Sequence, residues 1–279
     1  MNEQDVPSPI DLRDPGDALE WERTAQERPG RAEIFRAIGR ELEALGERDL
    51  LVLELGSGPG FLADYLLNAL PALRMTLLDF SAPMHKLARA RLGARAARVT
   101  EVERSFKDQG WSQGLGLFDA VITNQAVHEL RHKRYAHQLH AAVKDVLKPG
   151  APYLVSDHFF GEGGSQNDQL NMTVPEHRDA LLRAGFSEVQ QVMTAGSLVL
   201  HRASLTGPPQ GGHYVRTRLG GWWRHVRRKT RSSNTARSRV HAGVFGVTWR
   251  RRPLSGPPRW AITVRLKADT TYASDGRSA

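Results

Sequence analysis

Two patterns of hydrophobic and polar residues alternate along the chain. Apolar residues recur every three or four positions through RAEIFRAIGRELEAL, which predicts an amphipathic helix over 31–45. The next apolar residues form an unbroken run, LLVLEL at 50–55, which is typical of a strand buried on both faces. The sequence GSGPG interrupts this run, and FLADYLLNAL then predicts a helix over 61–70.

The alternation of strand and helix patterns continues to about residue 203. Further strands are predicted over 74–80, 97–104, 118–124 and 151–158, and further helices over 81–92, 133–150 and 174–185. The last two strand patterns, SEVQQVMT and SLVLHRA, are separated by a short turn around Gly196. A parallel pair needs a crossover of about a dozen residues or more, so these two strands are predicted to pair antiparallel.

Strands that alternate with helices indicate an α/β fold in which helices cover both faces of a parallel sheet. We therefore expect a Rossmann-like, mostly parallel sheet of seven strands that ends in an antiparallel C-terminal hairpin. In such sheets, ligands bind outside the carboxyl ends of the strands, at the point where the strand order reverses. The first predicted strand ends at GSGPG, so the chemistry is expected there.

Charge is distributed unevenly, and this changes the domain assignment. Residues 1–201 contain 22 Lys/Arg and 28 Asp/Glu, whereas residues 202–279 contain 17 Lys/Arg and 2 Asp/Glu. The net charge of +9 therefore arises from the C-terminal part, which is rich in Arg, Gly and Pro and has no hydrophobic period. We expect an N-terminal segment over 1–30 as a candidate lid, a main domain over 31–203, and a basic extension of low order over 204–279.

The basic extension leaves two interpretations open. Basic runs with interleaved aromatic residues can bind RNA or anionic surfaces, so a nucleic-acid partner is expected, if at all, only through this extension. The extension equally fits an unselected read-through of a gene end. The chain has no cysteine, no secretory signal pattern and no apolar run long enough to cross a membrane. A cytoplasmic protein without a membrane partner is therefore expected.

The pentapeptide HELRH at 128–132 matches the H-E-x-x-H signature of zinc hydrolases, in which a helix holds two imidazoles one turn apart. However, the predicted helix begins near Lys133, after the motif. An extended zinc signature would also need Gly and His where Tyr135 and Gln138 stand. A zinc hydrolase is therefore the least favoured function, and no metal is expected. The other histidines of this region are expected on a helix surface: His132, His137 and His140.

The glycine-rich segment lies between a buried strand and a helix, where glycine permits a tight turn and the close approach of a ligand to the backbone. A dinucleotide fingerprint would be G-x-G-x-x-G, but Phe61 stands where its third Gly is required. A phosphate-binding P-loop would need Gly-Lys-Ser/Thr at this point, and the sequence does not provide it. Neither a nicotinamide site nor a nucleoside triphosphate site is predicted.

LELGSGPG resembles motif I of the class I S-adenosylmethionine-dependent methyltransferases, in which an acid and one further residue precede G-x-G-x-G. Glu54 matches the acid, and Gly56, Gly58 and Gly60 match the three glycines. FDAVITNQAVHEL resembles motif IV of the same family, and LKPGAPYLVSDH resembles the motif of its next strand. The resemblance covers about residues 30–202, and its motifs are specific for the superfamily but not for a substrate.

The resemblance implies an S-adenosylmethionine site at these strand ends. Asp79 stands where the family binds both ribose hydroxyls, and Phe80 and Met84 stand where the adenine packs. Ser105 and Phe106 replace the acid that contacts the adenine amino group in many members. The predicted cofactor-binding residues are Glu54, Gly56, Ser57, Gly58, Gly60, Asp79, Phe80, Met84, Ser105, Phe106, Asn124 and Gln125.

In this family the loop after the fourth strand faces both the methionine end of the cofactor and the methyl acceptor. His128 and Asn124 are the candidate catalytic residues, with His128 as a base, and His158 is a second candidate base. The alternative for His128 is that it orders its loop. The loop is not N/D-P-P-Y/F and the chain lacks cysteine, which disfavours amino methylation of adenine and covalent methylation of pyrimidines.

The expected function is direct in-line transfer of a methyl group to a small-molecule acceptor. The N-terminal helices, around Trp21 and over 31–45, are expected to form a lid. The alternative is an RNA methyltransferase, or another nucleic-acid-binding protein, that uses the basic extension.

Overall fold

One sheet with helices against both faces organises the described residues, which are 4–25, 28–46 and 49–205 of a computed structural model. Its strands are β1 (Leu51–Leu55), β2 (Arg74–Asp79), β3 (Val99–Glu103), β4 (Ala120–Asn124), β5 (Tyr153–His158), β6 (Glu188–Ala195) and β7 (Leu198–Ser204). Apart from its first two residues, the predicted basic extension over 204–279 lies outside the described part of the chain.

The strand order is β3-β2-β1-β4-β5-β7-β6. Strands β1 to β5 pair in parallel, whereas β7 runs antiparallel to both β5 and β6. The predicted seven-stranded sheet with an antiparallel C-terminal hairpin is therefore confirmed within the described residues. The order reverses at β1, which bonds to β2 on one side and to β4 on the other.

Six α-helices accompany the sheet in the described ranges. They are α1 (Pro15–Ala25), α2 (Arg31–Glu43), α3 (Phe61–Ala69), α4 (Ala82–Leu92), α5 (Ala136–Val143) and α6 (Val174–Arg183). Helices α2 and α3 belong to the hydrophobic cluster on one face of the sheet, and α5 and α6 belong to the cluster on the other. The side chains of β1 alternate between the two clusters, which explains its unbroken apolar run.

Local capping sets where two of the helices begin. Ser81 caps α4, because its Oγ accepts a hydrogen bond from the Met84 N–H at 3.1 Å, as the sequence predicts. A capping box begins α6, in which Thr173 Oγ1 accepts from the Glu176 N–H and the Glu176 carboxylate accepts from the Thr173 N–H.

The predicted helix over 133–150 is shorter in the structure. It divides into a 3-10 turn at Lys133–Tyr135, the α-helix α5, and a second 3-10 turn at Lys144–Val146. His140 on α5 is buried, so its expected surface position is wrong. Its ring lies 5.5 Å from the ring of Tyr153, and its Nδ1 lies 3.2 Å from the Tyr153 hydroxyl. This contact satisfies one of the two ring nitrogens, whereas Nε2 is buried without a hydrogen-bond partner among the described residues.

Candidate active site

The carboxyl ends of β1, β2 and β4 border a cavity of about 790 Å³, a volume that includes its open mouth. This is the edge of the sheet where the strand order reverses, as expected for a doubly wound fold. Its lining contains every predicted cofactor-binding residue except Gly60. Helices α1 and α2 and the chain before them complete the wall with Leu12, Trp21, Arg31 and Phe35.

The glycine loop needs glycine for two different reasons. A Cβ on Gly56 would lie 2.5 Å from the Cβ of Ala126, so the loop packs too closely against the β4 loop for any side chain. A Cβ on Gly58 would approach only Trp21, at 3.9 Å, so this position opens toward the cavity. Both residues also have positive φ angles, 66° and 53°, which L-amino acids with side chains rarely adopt. Gly60 begins α3 and faces α4.

Asp79 ends β2, and its carboxylate closes the glycine loop. Its Oδ2 accepts from the Gly58 N–H at 2.8 Å, and its Oδ1 accepts from the Ser81 N–H at 3.0 Å. Burial raises the pKa of Asp79, and the amide donors partly offset this rise. Since an ionised carboxylate can accept about four hydrogen bonds, each oxygen retains capacity for a ligand hydroxyl.

The residues beside Asp79 form an apolar wall. Met84 is fully buried, and Phe80 carries the guanidinium of Arg13 over its ring at 4.7 Å. Phe106 is buried, and Ser105 Oγ accepts from the Lys107 N–H at 3.1 Å. These surfaces can enclose a planar aromatic group.

His128 lines the cavity with its side chain 17% exposed, and it pairs with the buried carboxylate of Asp157. The Nδ1–H of His128 donates to Asp157 Oδ1 at 2.6 Å, and the backbone N–H of His128 donates to Asp157 Oδ2 at 2.8 Å. The Nε2 of His128 lies 3.4 Å from Glu129 Oε1. Burial opposes the charged imidazole, but the charges and hydrogen bonds of Asp157 and Glu129 outweigh it and raise the pKa of His128.

Gln125 connects Arg31, at the start of α2, with His158, at the end of β5. Arg31 Nε donates to its Oε1 at 2.9 Å, so its amide nitrogen points toward His158 and donates to Nε2 at 3.0 Å. The Nδ1–H of His158 then donates to Ser197 Oγ at 2.8 Å. Burial lowers the pKa of His158, which fits this neutral tautomer. The Nε2 lone pair of His158 is therefore already engaged by the Gln125 amide.

The HELRH segment does not form the helix that a zinc signature needs. Its first residues form a 3-10 turn at Val127–Leu130, and Arg131 has a φ of 66°. His128 is bonded to Asp157, while His132 Nδ1 accepts from the Arg134 N–H. His132 is buried, so its expected surface position is wrong. Among the described residues, no group of three or more His, Asp or Glu could hold a metal ion.

Several cavity residues were not predicted from the sequence as binding residues, among them Leu12, Trp21, Arg31 and Lys107. Arg31 stood within the helix predicted over 31–45 and was not singled out. The signal available in the sequence was its location at the first turn, beside the apolar face of that helix.

Known proteins that resemble this chain in sequence or in fold agree with this architecture. Residues 52–150 match the family described as a methyltransferase domain. Ribosomal RNA small subunit methyltransferase C of Citrobacter koseri is 33% identical over 111 residues, which cover 39% of this chain and 31% of that protein. The chain thus spans about a third of the length of this curated relative.

Two solved structures have the same fold. Human N-acetylserotonin methyltransferase, in complex with S-adenosylmethionine, gives a TM-score of 0.53 at 19% identity and covers 70% of this chain and 57% of its own. An O-methyltransferase family protein from Burkholderia thailandensis gives a TM-score of 0.50 at 18% identity and covers 62% of this chain and 57% of its own.

The sheet order, the glycine loop and the acid that ends β2 define a Rossmann-like nucleoside-binding domain. Together with the match of residues 52–150 to a methyltransferase domain, they support the class I S-adenosylmethionine-dependent methyltransferase superfamily. S-adenosylmethionine is the cofactor of this superfamily, in agreement with the predicted cofactor. No described helix is both long and apolar enough to cross a lipid bilayer.

Proposed function

We propose that this protein transfers the methyl group of S-adenosylmethionine directly to a small-molecule acceptor, with His128 as the base. One observation carries the proposal. A single cavity is lined by the glycine loop, the carboxylate of Asp79 and the ring of His128, which is hydrogen-bonded to Asp157. The first two fit a nucleoside, and the third fits the activation of an acceptor.

The residues present fit the cofactor on chemical grounds. Asp79 can accept from the two ribose hydroxyls, while Met84, Phe80 and Phe106 offer apolar surface to the adenine. Gly58 leaves the backbone open to the ligand, because nothing but Trp21 lies within 4 Å of its missing Cβ. The lining also includes Glu54, a buried carboxylate that can interact with a cationic group.

Methyl transfer requires alignment more than covalent participation by the protein. When bound, S-adenosylmethionine would supply an activated methyl group, since its sulfonium would leave as a neutral thioether that keeps the electron pair of the broken sulfur–carbon bond. The acceptor lone pair forms the new bond to carbon, and the acceptor proton passes to Nε2 of His128. Asp157 fixes the ring orientation through Nδ1 and stabilises the imidazolium that forms. Asn124, the last residue of β4, also lines the cavity and can help orient the acceptor.

The N-terminal chain supports a small acceptor, because it covers the acceptor side of the site. The Val6 N–H donates to the Arg131 carbonyl at 2.8 Å, and Arg131 Nε donates back to the Val6 carbonyl at 2.9 Å. Ser81 Oγ donates to the Leu12 carbonyl. The segment from Val6 to Leu12 therefore runs between Arg131, in the loop after β4, and Ser81, which precedes α4. Leu12 lines the cavity. This arrangement fits the lid that we proposed for residues 1–30.

Calorimetric titration with S-adenosylmethionine tests the proposal. We expect the wild-type chain to bind it and Asp79→Ala to bind it at least about tenfold more weakly, because a hydrogen-bonded charged partner is lost. Asp108→Ala is the matched control, since Asp108 is exposed and does not line the cavity, although it follows the lining residue Lys107. Absence of binding by the wild type would end the proposal. Labelled cofactor and a metabolite extract would then identify the methylated product.

A further inference from the structure

Two histidines, His128 and His158, share the buried carboxylate of Asp157. The Nδ1–H of His128 donates to Asp157 Oδ1 at 2.6 Å, and the backbone N–H of His158 donates to the same oxygen at 2.7 Å. The two imidazole rings lie with their centroids 5.5 Å apart and their planes inclined by 65°. Two positive rings at this distance would repel each other and compete for one negative charge. The site therefore favours the protonation of only one of them.

The surroundings of His128 favour its charged form. Its Nδ1 faces Asp157, and its Nε2 lies 3.4 Å from Glu129 Oε1. An imidazole can donate to two acceptors at once only when both of its nitrogens carry protons. Burial opposes the charge, but the two carboxylates outweigh burial and raise the pKa of His128 to about 10.

The surroundings of His158 favour its neutral form. Gln125 is only 7% exposed, and its Oε1 accepts from Arg31, whose guanidinium has donors but no acceptor. The amide must therefore present its NH₂ group to His158 Nε2, which lies 3.0 Å away. A protonated Nε2 would set two donors against each other. Nε2 thus keeps its lone pair, and the proton of the neutral ring lies on Nδ1 and is donated to Ser197 Oγ at 2.8 Å.

The charged groups around His158 act on balance in the same direction. Burial lowers the pKa of His158, the carboxylate of Asp157 raises it, and three neighbouring groups lower it further when they are charged: His128, Arg28 and Arg31. From α6, His177 donates to the backbone carbonyl of His158 at 3.2 Å. The pKa of His158 is lowered overall, which agrees with the proton positions that the Gln125 amide requires.

We propose that Gln125, oriented by Arg31, keeps His158 neutral and thereby reserves the charge of Asp157 for His128. Gln125 is then a positioning residue that decides which of the two histidines accepts the proton of the methyl acceptor. An amide suits this task, because it has a donor and an acceptor at fixed places and does not titrate. The inference deepens the proposed function and rests on it for the role of His128.

The backbone of Gln125 supports this assignment. Its φ is 55°, a conformation that a residue with a side chain rarely adopts and that surrounding contacts must sustain. One such contact is the Gln125 N–H, which donates to the Ser156 carbonyl on β5 at 2.8 Å. In this conformation the side chain reaches both Arg31, at the start of α2, and His158, at the end of β5.

Histidine NMR on the full-length chain tests the inference without a methyl acceptor. The ¹⁵N shifts of an imidazole separate a nitrogen that carries a proton from one that carries a lone pair, so they report charge and tautomer together. The spectra of His128→Gln and His158→Gln identify the signals of each residue by their absence. Gln125→Glu tests the amide, and Gln190→Glu is the matched control, because Gln190 is exposed on β6.

In the wild type at pH 7, we expect His158 to be neutral with its proton on Nδ1 and His128 to carry protons on both nitrogens. Gln125→Glu replaces the NH₂ donor with an acceptor and should raise the pKa of His158 by about one pH unit or more. Gln190→Glu should leave both rings unchanged. Ser197→Ala should keep the His158 proton on Nδ1, because Gln125 fixes the nitrogen that accepts. With the identified acceptor, the pH profile of single-turnover transfer by Gln125→Glu should gain a second ionisation.

A wild-type His158 that is charged at pH 7, or neutral with its proton on Nε2, would overturn the inference, and this measurement does not depend on the folding of any variant. An unchanged pKa of His158 in Gln125→Glu would also contradict it. Either result would leave the proposed function intact, because cofactor binding is measured separately by calorimetry with S-adenosylhomocysteine, the demethylated cofactor. If the wild type binds neither this ligand nor S-adenosylmethionine, the proposed function itself fails, whatever the histidine spectra show.

Discussion

His128 shows how the surroundings of one residue decide its chemistry. Its ring lies between Asp157 at Nδ1 and Glu129 at Nε2, so both nitrogen atoms face carboxylates. Only the deprotonated imidazole can accept a proton from a methyl acceptor. Because the pKa of His128 is raised, this form increases as the pH rises above neutrality.

The proposed base role predicts a pH profile. Single-turnover methyl transfer, measured with the identified acceptor, should accelerate with rising pH through the raised pKa of His128. Asp157→Asn removes the nearest negative charge and should move this rise by about one pH unit or more toward lower pH. Glu129→Gln removes the more distant partner and should move it less. If both variants keep the wild-type profile, His128 is not the titrating base.

At the scale of elements, the start of α2 is fixed by a backbone contact rather than by a side-chain cap. Gly30 precedes α2 with a φ of 82°, and a Cβ there would lie 2.2 Å from the carbonyl oxygen of Ala195. Likewise, a Cβ on Gly196, in the β6–β7 turn, would lie 3.0 Å from the carbonyl oxygen of Pro29. This close approach holds the N-terminus of α2, and therefore Arg31, against the end of the sheet.

Replacing Gly30 tests this contact. Gly30→Ala should destabilise the fold by at least about 2 kcal/mol, because it combines a positive φ with a backbone clash. It should also weaken S-adenosylhomocysteine binding by displacing Arg31. Gly46→Ala is the control, since its φ is 96° but nothing lies within 4 Å of its missing Cβ. Urea unfolding and calorimetry measure both effects; equal destabilisation by the two variants would argue against the clash.

The layer of α5 and α6 contains a second polar feature, a set of buried histidines. His177 and His201 stack at 5.9 Å, and His140 contacts Tyr153. Burial lowers the pKa of His140 to about 3 and that of His201 to about 4. Unfolded histidine has a pKa of about 6.5, so the neutral rings contribute stability that is fully present above pH 6.5. That contribution is lost as the pH falls toward the folded pKa.

A pair of variants isolates this effect for His140. We compare Tyr153→Phe with Tyr153→Phe/His140→Leu, so that no hydroxyl is left without its partner. Below pH 6.5, the single variant should lose about 1.4 kcal/mol more stability per pH unit than the double variant. Urea unfolding at pH 7.5, 6.5 and 5.5 measures the difference. Parallel pH dependences would show that His140 is protonated in the folded state.

At the scale of the whole molecule, the site depends on the N-terminal chain as well as on the sheet. Within the described part of the chain, the residues that line the cavity fall between Leu12 and Glu129, and β7 ends at Ser204. We therefore keep the division into a lid over 1–30, a domain over 31–203 and an extension over 204–279 as a proposal.

Truncation separates these parts. A chain that ends at Leu205 should bind S-adenosylhomocysteine as the full-length chain does. If the extension binds RNA, only the full-length chain should show RNA binding that weakens steeply with salt. Loss of cofactor binding on truncation would contradict the proposed division, and equal RNA binding by both chains would show that the extension is irrelevant to it.

The spacing of apolar residues predicted the strands and the position of the glycine-rich loop, because strands and tight turns depend on residues that are near neighbours in the chain. Helix α5 shows their limit. Its apolar period predicted one long helix, yet 3-10 turns flank α5, and His140 faces inward to meet a tyrosine on β5. A polar residue at an inward position can be anticipated only when its partner is known.

The sequence by itself determined the α/β order, the position of the glycine loop and the acid that ends β2, since each follows from local spacing. Only the tertiary structure paired Arg31 with Gln125, which are 94 residues apart, and His128 with Asp157, which are 29 apart. The His128–Asp157 pair arises because parallel strands bring their carboxyl ends together at one edge, and the Arg31–Gln125 pair arises because the start of α2 lies beside that edge. Side chains distant in sequence meet there in a buried environment, and that environment sets their charge and their partners.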